Sequence, residues 1–468
     1  MLKELPSAVC EEAFPDDPDF PQLKVAADPA IMLEVFRAHL KPIAGKDVQI
    51  RDCIPFRFRC RQSSSRCVLQ YTLRIAEPSH HREWNQWVTG LIYAHAEAAE
   101  RLWREIGAVD PEQEIPEGWR SFEPICFIPS LQMLVQVFPY DRKLPTLCRV
   151  MTGASRFLDP LLLSRQGTYG QWHVENRTIL PTRYRTELGA ALKYTMRARE
   201  ALAEKSETLR CYLKVYRNDH GQETYRLLQS LAEMAEAGEK VYSVVRPIAY
   251  LSEVRMLVIE EAAGTTLQQM LLEGHDSTAV ARPVARAVAA FNQDELRITR
   301  QHALAKQSAD VKRASSLVQW ACPRVREEAK AITAAVVAGL EEVPPAPIHR
   351  DLKPDHIFLE GDRVNFIDLD SVALGDPVRD PAHLFAHLAA RVGLDSMPRE
   401  QARKAAAAFV EEYFACVPKS WRKNFTIHCA GAFIEVAGGI FKRQEAEWPE
   451  RVAACIEEAQ QALSGGFR

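Results

Sequence analysis

Within the 32 residues from His349 to Asp380, the chain places several groups that phosphoryl transfer requires. That reaction needs a carboxylate near the acceptor hydroxyl, oxygen ligands for the metal on the phosphates, and a cation to position the phosphates. The run His349-Arg350-Asp351-Leu352-Lys353-Pro354-Asp355-His356 offers one carboxylate with a lysine two residues on, and Ile367-Asp368-Leu369-Asp370 offers two more. Between them, Ile357-Phe358-Leu359 and Val364-Asn365-Phe366-Ile367 flank the turn Glu360-Gly361-Asp362-Arg363 and predict a short hairpin. A hairpin returns its two ends to the same place, so it brings these carboxylates together.

Upstream elements must supply the rest. Cys211 to Tyr216 alternates like a strand carrying Lys214, and a helix bearing Glu223 follows. Before it, Gly189 sits in a turn between strands Thr182 to Arg185 and Ala191 to Ala198. Leu257-Val258-Ile259-Glu260-Glu261, then Gly264, reads as a strand that ends in a turn. Beyond Gly264 the chain becomes largely helical, with Ala-rich amphipathic runs at Ala279 to Phe291, Arg324 to Leu340, Arg399 to Phe414, Ala430 to Phe441 and Arg451 to Leu463.

With His349-Arg350-Asp351, Ile367-Asp368 and Gly375-Asp376-Pro377-Asp380 in this order, the sequence resembles the aminoglycoside phosphotransferase and choline kinase-like family of small-molecule kinases, which has a protein-kinase-like fold. The resemblance covers roughly residues 178 to 468. It implies ATP with Mg²⁺, Mn²⁺ being an alternative, and a small-molecule hydroxyl acceptor. It makes Asp351 the catalytic carboxylate, Lys353 a contact to the transferred phosphate, and Asp368 the metal ligand, with Asp370 as a second ligand or substrate contact. It makes Lys214 the holder of the nucleotide phosphates, oriented by Glu223, Gly189 part of the phosphate-covering turn, and Glu260 and Glu261 part of the hinge beside adenine. Asp380 is expected to brace the catalytic loop. One departure stands out: the family's second metal ligand is usually Asn, and that position is His356. No Asp-Phe-Gly or Ala-Pro-Glu segment follows, so a protein or peptide kinase is the alternative, together with a nucleotide-binding pseudokinase or scaffold. His383 and His387, four residues apart, read as packing residues, since no HExxH pattern accompanies them.

An internal repeat precedes this region. At a constant spacing of 123 residues Tyr71 matches Tyr194, Thr72 matches Thr195, Arg74 matches Arg197, Tyr93 matches Tyr216, Pro124-Ile125 matches Pro247-Ile248, and Met133-Leu134-Val135 matches Met256-Leu257-Val258. A tandem duplication of a lobe of about 90 residues follows. In the first copy Lys214 falls on Leu91, which cannot hold phosphate, so that copy is expected to be degenerate. The expected fold class is α+β: a bilobal protein-kinase-like fold, β-rich N-lobe and helical C-lobe, with an additional N-terminal α/β domain resembling a second N-lobe. The expected boundaries are an extended Pro-rich arm at 1–27, the degenerate lobe at 28–150, a linker at 151–177, the N-lobe at 178–263 and the C-lobe at 264–468.

The formal net charge of -3 gives no excess of basic residues and argues against nucleic acid or an anionic membrane as partner. No signal-like h-region and no apolar run of about 20 residues is evident, so the expectation is a cytoplasmic protein. Eleven cysteines without a CxxC pair argue against a disulfide framework or a zinc site, and Cys53, Cys60 and Cys67 read as strand residues. The residues carry no signal for oligomeric state.

Overall fold

The computed structural model describes residues 14–60, 66–107, 115–166, 172–201, 205–237 and 240–465. The turn expected at Gln62 to Ser65 and the loop with Gly167 and Gly170 lie outside them. The chain forms two compact units, one of Glu11–Tyr225 with Pro247–Glu261, the other containing Arg226–Arg246 and Ala262–Arg468.

The first unit holds two lobes of one design. In the first lobe, helices α1 (Leu23–Ala27) and α2 (Pro29–His39) precede strands β1 (Gln49–Cys60), β2 (Arg66–Glu77) and β3 (Arg82–Tyr93). Helix α3 (Ala96–Gly107) and strands β4 (Ile125–Ile128) and β5 (Met133–Val137) complete it. In the second lobe α4 (Leu147–Gly153) and α5 (Ser155–Ser164) precede β6 (Trp172–Arg185), β7 (Gly189–Glu200) and β8 (Ser206–Tyr216); α6 (His220–Ala237) follows, and from Arg226 on it belongs to the other unit. The short strand β9 (Tyr242–Val244) belongs to the other unit, and β10 (Pro247–Leu251) and β11 (Met256–Glu260) finish the second lobe.

The strand orders are β1-β2-β3-β5-β4 and β6-β7-β8-β11-β10, the same topology twice. The 123-residue spacing carries both ends of β2 onto both ends of β7 (189 − 66 and 200 − 77). It also carries Gln132 (φ 48°) onto Arg255 (φ 47°), two non-glycine left-handed residues at the same tight turn. The repeat is therefore structural, and it begins earlier than the matched residues suggested. Helices α4 and α5, in a stretch read as a linker, stand before their sheet as α1 and α2 stand before theirs.

Each sheet buries one face under these leading helices. Phe36 of α2 packs edge-on to Tyr71, whose hydroxyl donates to the Ala26 carbonyl at 2.7 Å. Asp28 fixes the start of α2, accepting from the amides of Ala30 and Ile31 at 2.8 and 3.0 Å, with Pro29 at the first turn. In the second lobe, Leu158 and Leu162 of α5 share a core with Leu192, Tyr194, Leu213 and Val258. Where the prolines pointed to an extended arm, Phe14, Phe20 and Leu23 are buried and α1 is formed, so the described part of that segment is core.

The second unit is mostly helical. A four-stranded sheet in the order β12-β14-β15-β9 uses β12 (Thr265–Thr266), β14 (Ile357–Glu360) and β15 (Arg363–Phe366); β13 (Ala346–Ile348) pairs with β16 (Ala373–Gly375). Around them lie α7 (Leu267–Leu272), α8 (Ser277–Asn292), α9 (Leu304–Ala321), α10 (Arg326–Gly339), α11 (Arg379–Ala389), α12 (Arg399–Cys416), α13 (Phe425–Lys442) and α14 (Trp448–Leu463). Helix α13 is long and apolar enough to cross a membrane by composition, but most of it is buried in the core of this unit. Gly264 (φ 89°) has no room for a Cβ, which would collide with the Leu359 carbonyl.

Candidate active site

The hairpin β14–β15 forms with the register Ile357 opposite Phe366 and Glu360 opposite Arg363. Its two ends bring Asp351, His356 and Asp368 together, with one ligand atom of each within 4.8 Å of the others. The strand pairing β13–β16 closes the base of this loop on its other side.

Asp380, in the first turn of α11, braces the loop. Its carboxylate accepts from the amides of His349 at 2.6 Å and Arg350 at 2.9 Å. The amide of Asn292, at the end of α8, donates to the same carboxylate at 3.3 Å and to the Pro347 carbonyl at 2.7 Å. These buried bonds hold Arg350 in a left-handed conformation (φ 71°), a strained backbone for a bulky residue just before Asp351. Asp368 is also left-handed (φ 61°), and the His349 ring donates to the adjacent Ile367 carbonyl at 2.9 Å.

The His356 ring decides what the cluster can hold. Its Nδ1 lies 2.9 Å from the Asp351 carbonyl, which only accepts, so Nδ1 carries the proton. In the neutral ring Nε2 then presents a lone pair, 3.5 Å from Oδ2 of Asp368. Burial and then Lys353 push the imidazole down to about 4, so it is neutral near pH 7. Two electron-rich atoms that face each other in this way fit a shared divalent cation, and a ring whose other nitrogen is anchored on a carbonyl has the tautomer a metal ligand needs.

Lys353 Nζ lies 3.3 Å from Oδ2 of Asp351. Desolvation raises the Asp351 carboxyl, but Lys353 and His356 outweigh it and hold the group well below the usual carboxylate range. It is ionised at neutral pH, as a group that aligns or accepts a proton from a hydroxyl must be. Asp370 stands two residues beyond Asp368 and outside the cluster, and Arg300 donates to its carbonyl.

Several supports carried no sequence signal. His302 meets Asp310 at 3.0 Å, and Arg350 reaches Asp310 at 3.6 Å and the Ser371 carbonyl at 3.2 Å. Arg379 makes a two-pronged ion pair with Glu435 of α13 at 3.2 and 3.1 Å, and Asp376 meets His428 at 2.9 Å. His383 and His387 are both buried on α11. Apart from His302 and Asp310, which are eight residues apart, these partners are distant in sequence, and only the fold joins them.

In the first unit, Lys214 stands on the half-buried face of β8, across from Ala191 and Leu257. A Cβ on Gly189 would come within 2.9 Å of the Val215 carbonyl, so the close turn requires glycine. Glu260 pairs with Arg165, and Glu261 with Lys193 at 2.5 Å and Arg210 at 3.8 Å. Glu223 faces outward: its side chain is 70% exposed and meets His220 at 3.0 Å, while the next residue, Thr224, is buried. The expectation that Glu223 orients Lys214 needs an inward carboxylate, and the register of α6 puts threonine there.

The sequence model of the phosphotransferase enzyme family (APH) matches residues 198–422, which include Lys214 and, separately, the cluster of Asp351, His356 and Asp368. No curated protein matches the chain. Among solved structures, a protein assigned as an aminoglycoside phosphotransferase from Ralstonia eutropha is 15% identical (TM-score 0.46, 65% of this chain and 97% of that one). The ADP-bound aminoglycoside phosphotransferase APH(2'')-Ib is 15% identical (0.39, 64% and 96%) and a choline kinase from Cryptosporidium parvum 12% identical (0.43, 68% and 95%). The matched residues thus run from the end of β7 through the rest of the second lobe and into most of the helical unit, and the first lobe lies outside the match.

Proposed function

We propose that this chain transfers the γ-phosphoryl group of ATP to a hydroxyl of a small polar molecule such as an aminoglycoside, a sugar or an amino alcohol. The observation that carries this reading is the cluster of Asp351, His356 and Asp368 on a loop whose backbone is fixed by Asp380. Asp351 aligns the acceptor hydroxyl and takes its proton as the new P–O bond forms. Lys353, already beside that carboxylate, contacts the transferred phosphoryl group. Asp368 and His356 hold the metal, with Asp370 as a second ligand or substrate contact, and mixed carboxylate and imidazole donors suit Mn²⁺ better than Mg²⁺. When bound, the metal supplies positive charge to the phosphate oxygens. Lys214 holds the α- and β-phosphates, the turn ending at Gly189 covers them, and the backbone at Glu260 and Glu261 pairs with adenine.

The test is a γ-labelled ATP screen over aminoglycosides, sugars and amino alcohols with Mg²⁺ or Mn²⁺, run beside Asp351→Asn. Label in a small molecule, lost in the variant, supports the reading. Label in polypeptide makes the chain a protein kinase. Nucleotide binding without transfer or hydrolysis makes it a scaffold.

A further inference from the structure

The first lobe keeps the scaffold of a nucleotide-holding lobe but has replaced the residues that mark that site in the second. At the 123-residue spacing, Lys214 corresponds to Leu91 and Gly189 to Arg66 (189 − 66), and Gly264, just beyond the second lobe in sequence, corresponds to Asp141 (264 − 141). Leu91 is fully buried with Val68 and Leu134, under Leu102 and Ile106 of α3. The two glycine positions carry an arginine and an aspartate, and both bind one residue of the second lobe, Glu187.

Glu187 lies in the turn between β6 and β7, two residues before Gly189, and is 4% exposed. Its carboxylate meets Arg66 through two contacts, 3.0 and 2.5 Å, and Arg59 at 3.5 Å. Its amide donates to Oδ2 of Asp141 at 2.6 Å, and the same oxygen accepts from the Tyr184 hydroxyl at 2.8 Å. Thr186 meets Thr89 at 2.8 Å, and the Tyr184 ring lies parallel to Trp87 with centroids 6.5 Å apart. Thr89 and Trp87 alternate with Leu91 along β3, so they lie on the same face of the first sheet. The hairpin of the second lobe is therefore seated on the face that corresponds, in the first lobe, to the Lys214 face.

We propose that the first lobe uses its former nucleotide face as a seat for the β6–β7 turn, and that Glu187, gripped by Arg66, is a positioning residue for nucleotide binding. The proposal rests on the reading of the β6–β7 turn as the phosphate-covering element. Residues 186–188 of the turn contain no glycine, and the left-handed Glu187 (φ 62°) is held by the contacts above. A turn already ordered before nucleotide arrives loses less conformational freedom on binding, which raises affinity. The seat is permanent, since the two lobes also share one apolar core in which Phe138 and Trp119 of the first pack with Tyr184 and Leu192 of the second.

The experiment measures amide hydrogen exchange at residues 184–189 in the free full-length chain, Mn-ADP affinity by calorimetry, and KM for ATP against kcat. It compares Arg66→Met and the double variant Arg66→Met/Glu187→Gln, which leaves no buried unpaired carboxylate if the single variant folds poorly. Exchange should accelerate roughly tenfold or more, with ADP affinity falling and KM rising by about tenfold at unchanged kcat, as expected when ordering cost moves onto the binding step. Arg66→Lys, which keeps the charge without the two-pronged contact, should lie between. Unchanged exchange overturns the proposal, and so does faster exchange with unchanged affinity. A wild-type chain that binds no ADP overturns the phosphotransferase reading and the positioning role together, whereas equal binding by wild type and variants overturns the positioning role alone.

Discussion

Strand β2 of the first lobe is buried along nearly its whole length, whereas its counterpart β7 alternates buried and half-buried residues. The two strands have the same length and the same register against β3 and β8, so the difference lies in what their second faces hold. In β7 that face presents Ala191 and Lys193 beside Lys214; in β2 it presents Val68 and Gln70 beside Leu91. Filling the face with leucine and valine gains apolar burial and removes any cation for phosphate. A lobe of this design can therefore keep its fold with an apolar face where its counterpart carries a lysine, provided another surface covers that face. Here α3 covers one part and the second lobe's own hairpin covers the rest.

The sharpest way to break this contrast is to ask which lobe serves the chemistry. Asp351→Asn should lower kcat by about 10² to 10⁴-fold, the range for a positioned base, and leave one nucleotide bound per chain. A variant turnover equal to wild type, or two nucleotides per chain by calorimetry, would sink the assignment. Leu91→Ala should destabilise the first unit by about 2 to 5 kcal/mol, the range for a buried leucine, with KM for ATP unchanged. Denaturant midpoints and steady-state kinetics check both halves. Its counterpart Lys214→Met should do the reverse: kcat/KM falls by about 10 to 100-fold, from the loss of a charged hydrogen bond worth about 1.5 to 3 kcal/mol, with little change in the midpoint.

Acidification should separate the two units. Burial holds His383 down to about 3 and His387 well below the ordinary imidazole range, so both stay neutral in the folded helical unit. Below about pH 6.5 the unfolded chain takes up protons that the folded state refuses, so stability falls as pH falls, by about 1.4 kcal/mol per pH unit for each imidazole. The loss continues for His383 down to about pH 3, where the folded state also protonates. Melting curves from pH 7 to 5 should show the helical unit losing stability first. His387→Gln should flatten its slope.

The segment from Ile357 to Phe366 folds as its alternation and turn residues required, because a hairpin is specified by neighbours in sequence. The repeat was legible from a few identities, since one register kept over 60 residues leaves little room for chance. Its full extent was not: α4 and α5 repeat the places of α1 and α2 by shape and packing, with no matched residue to announce them. Glu223 was misplaced for a related reason. A one-residue step on a helix turns a side chain by about 100°, and only the packing of α6 chose which of Glu223 and Thr224 faces inward.

By itself the sequence determined the chemistry on offer: which carboxylates flank the hairpin, the histidine five residues after Asp351, and leucine in the first copy where the second has Lys214. These are properties of residue type and short spacing. Tertiary structure alone decided that His356 anchors one nitrogen and turns the other to Asp368, that Asp380 fixes the loop, and that Glu187 is held by Arg66, 121 residues away in the chain. Such partners are chosen by the packing of whole sheets and helices, and side-chain geometry follows from that packing rather than from any local pattern.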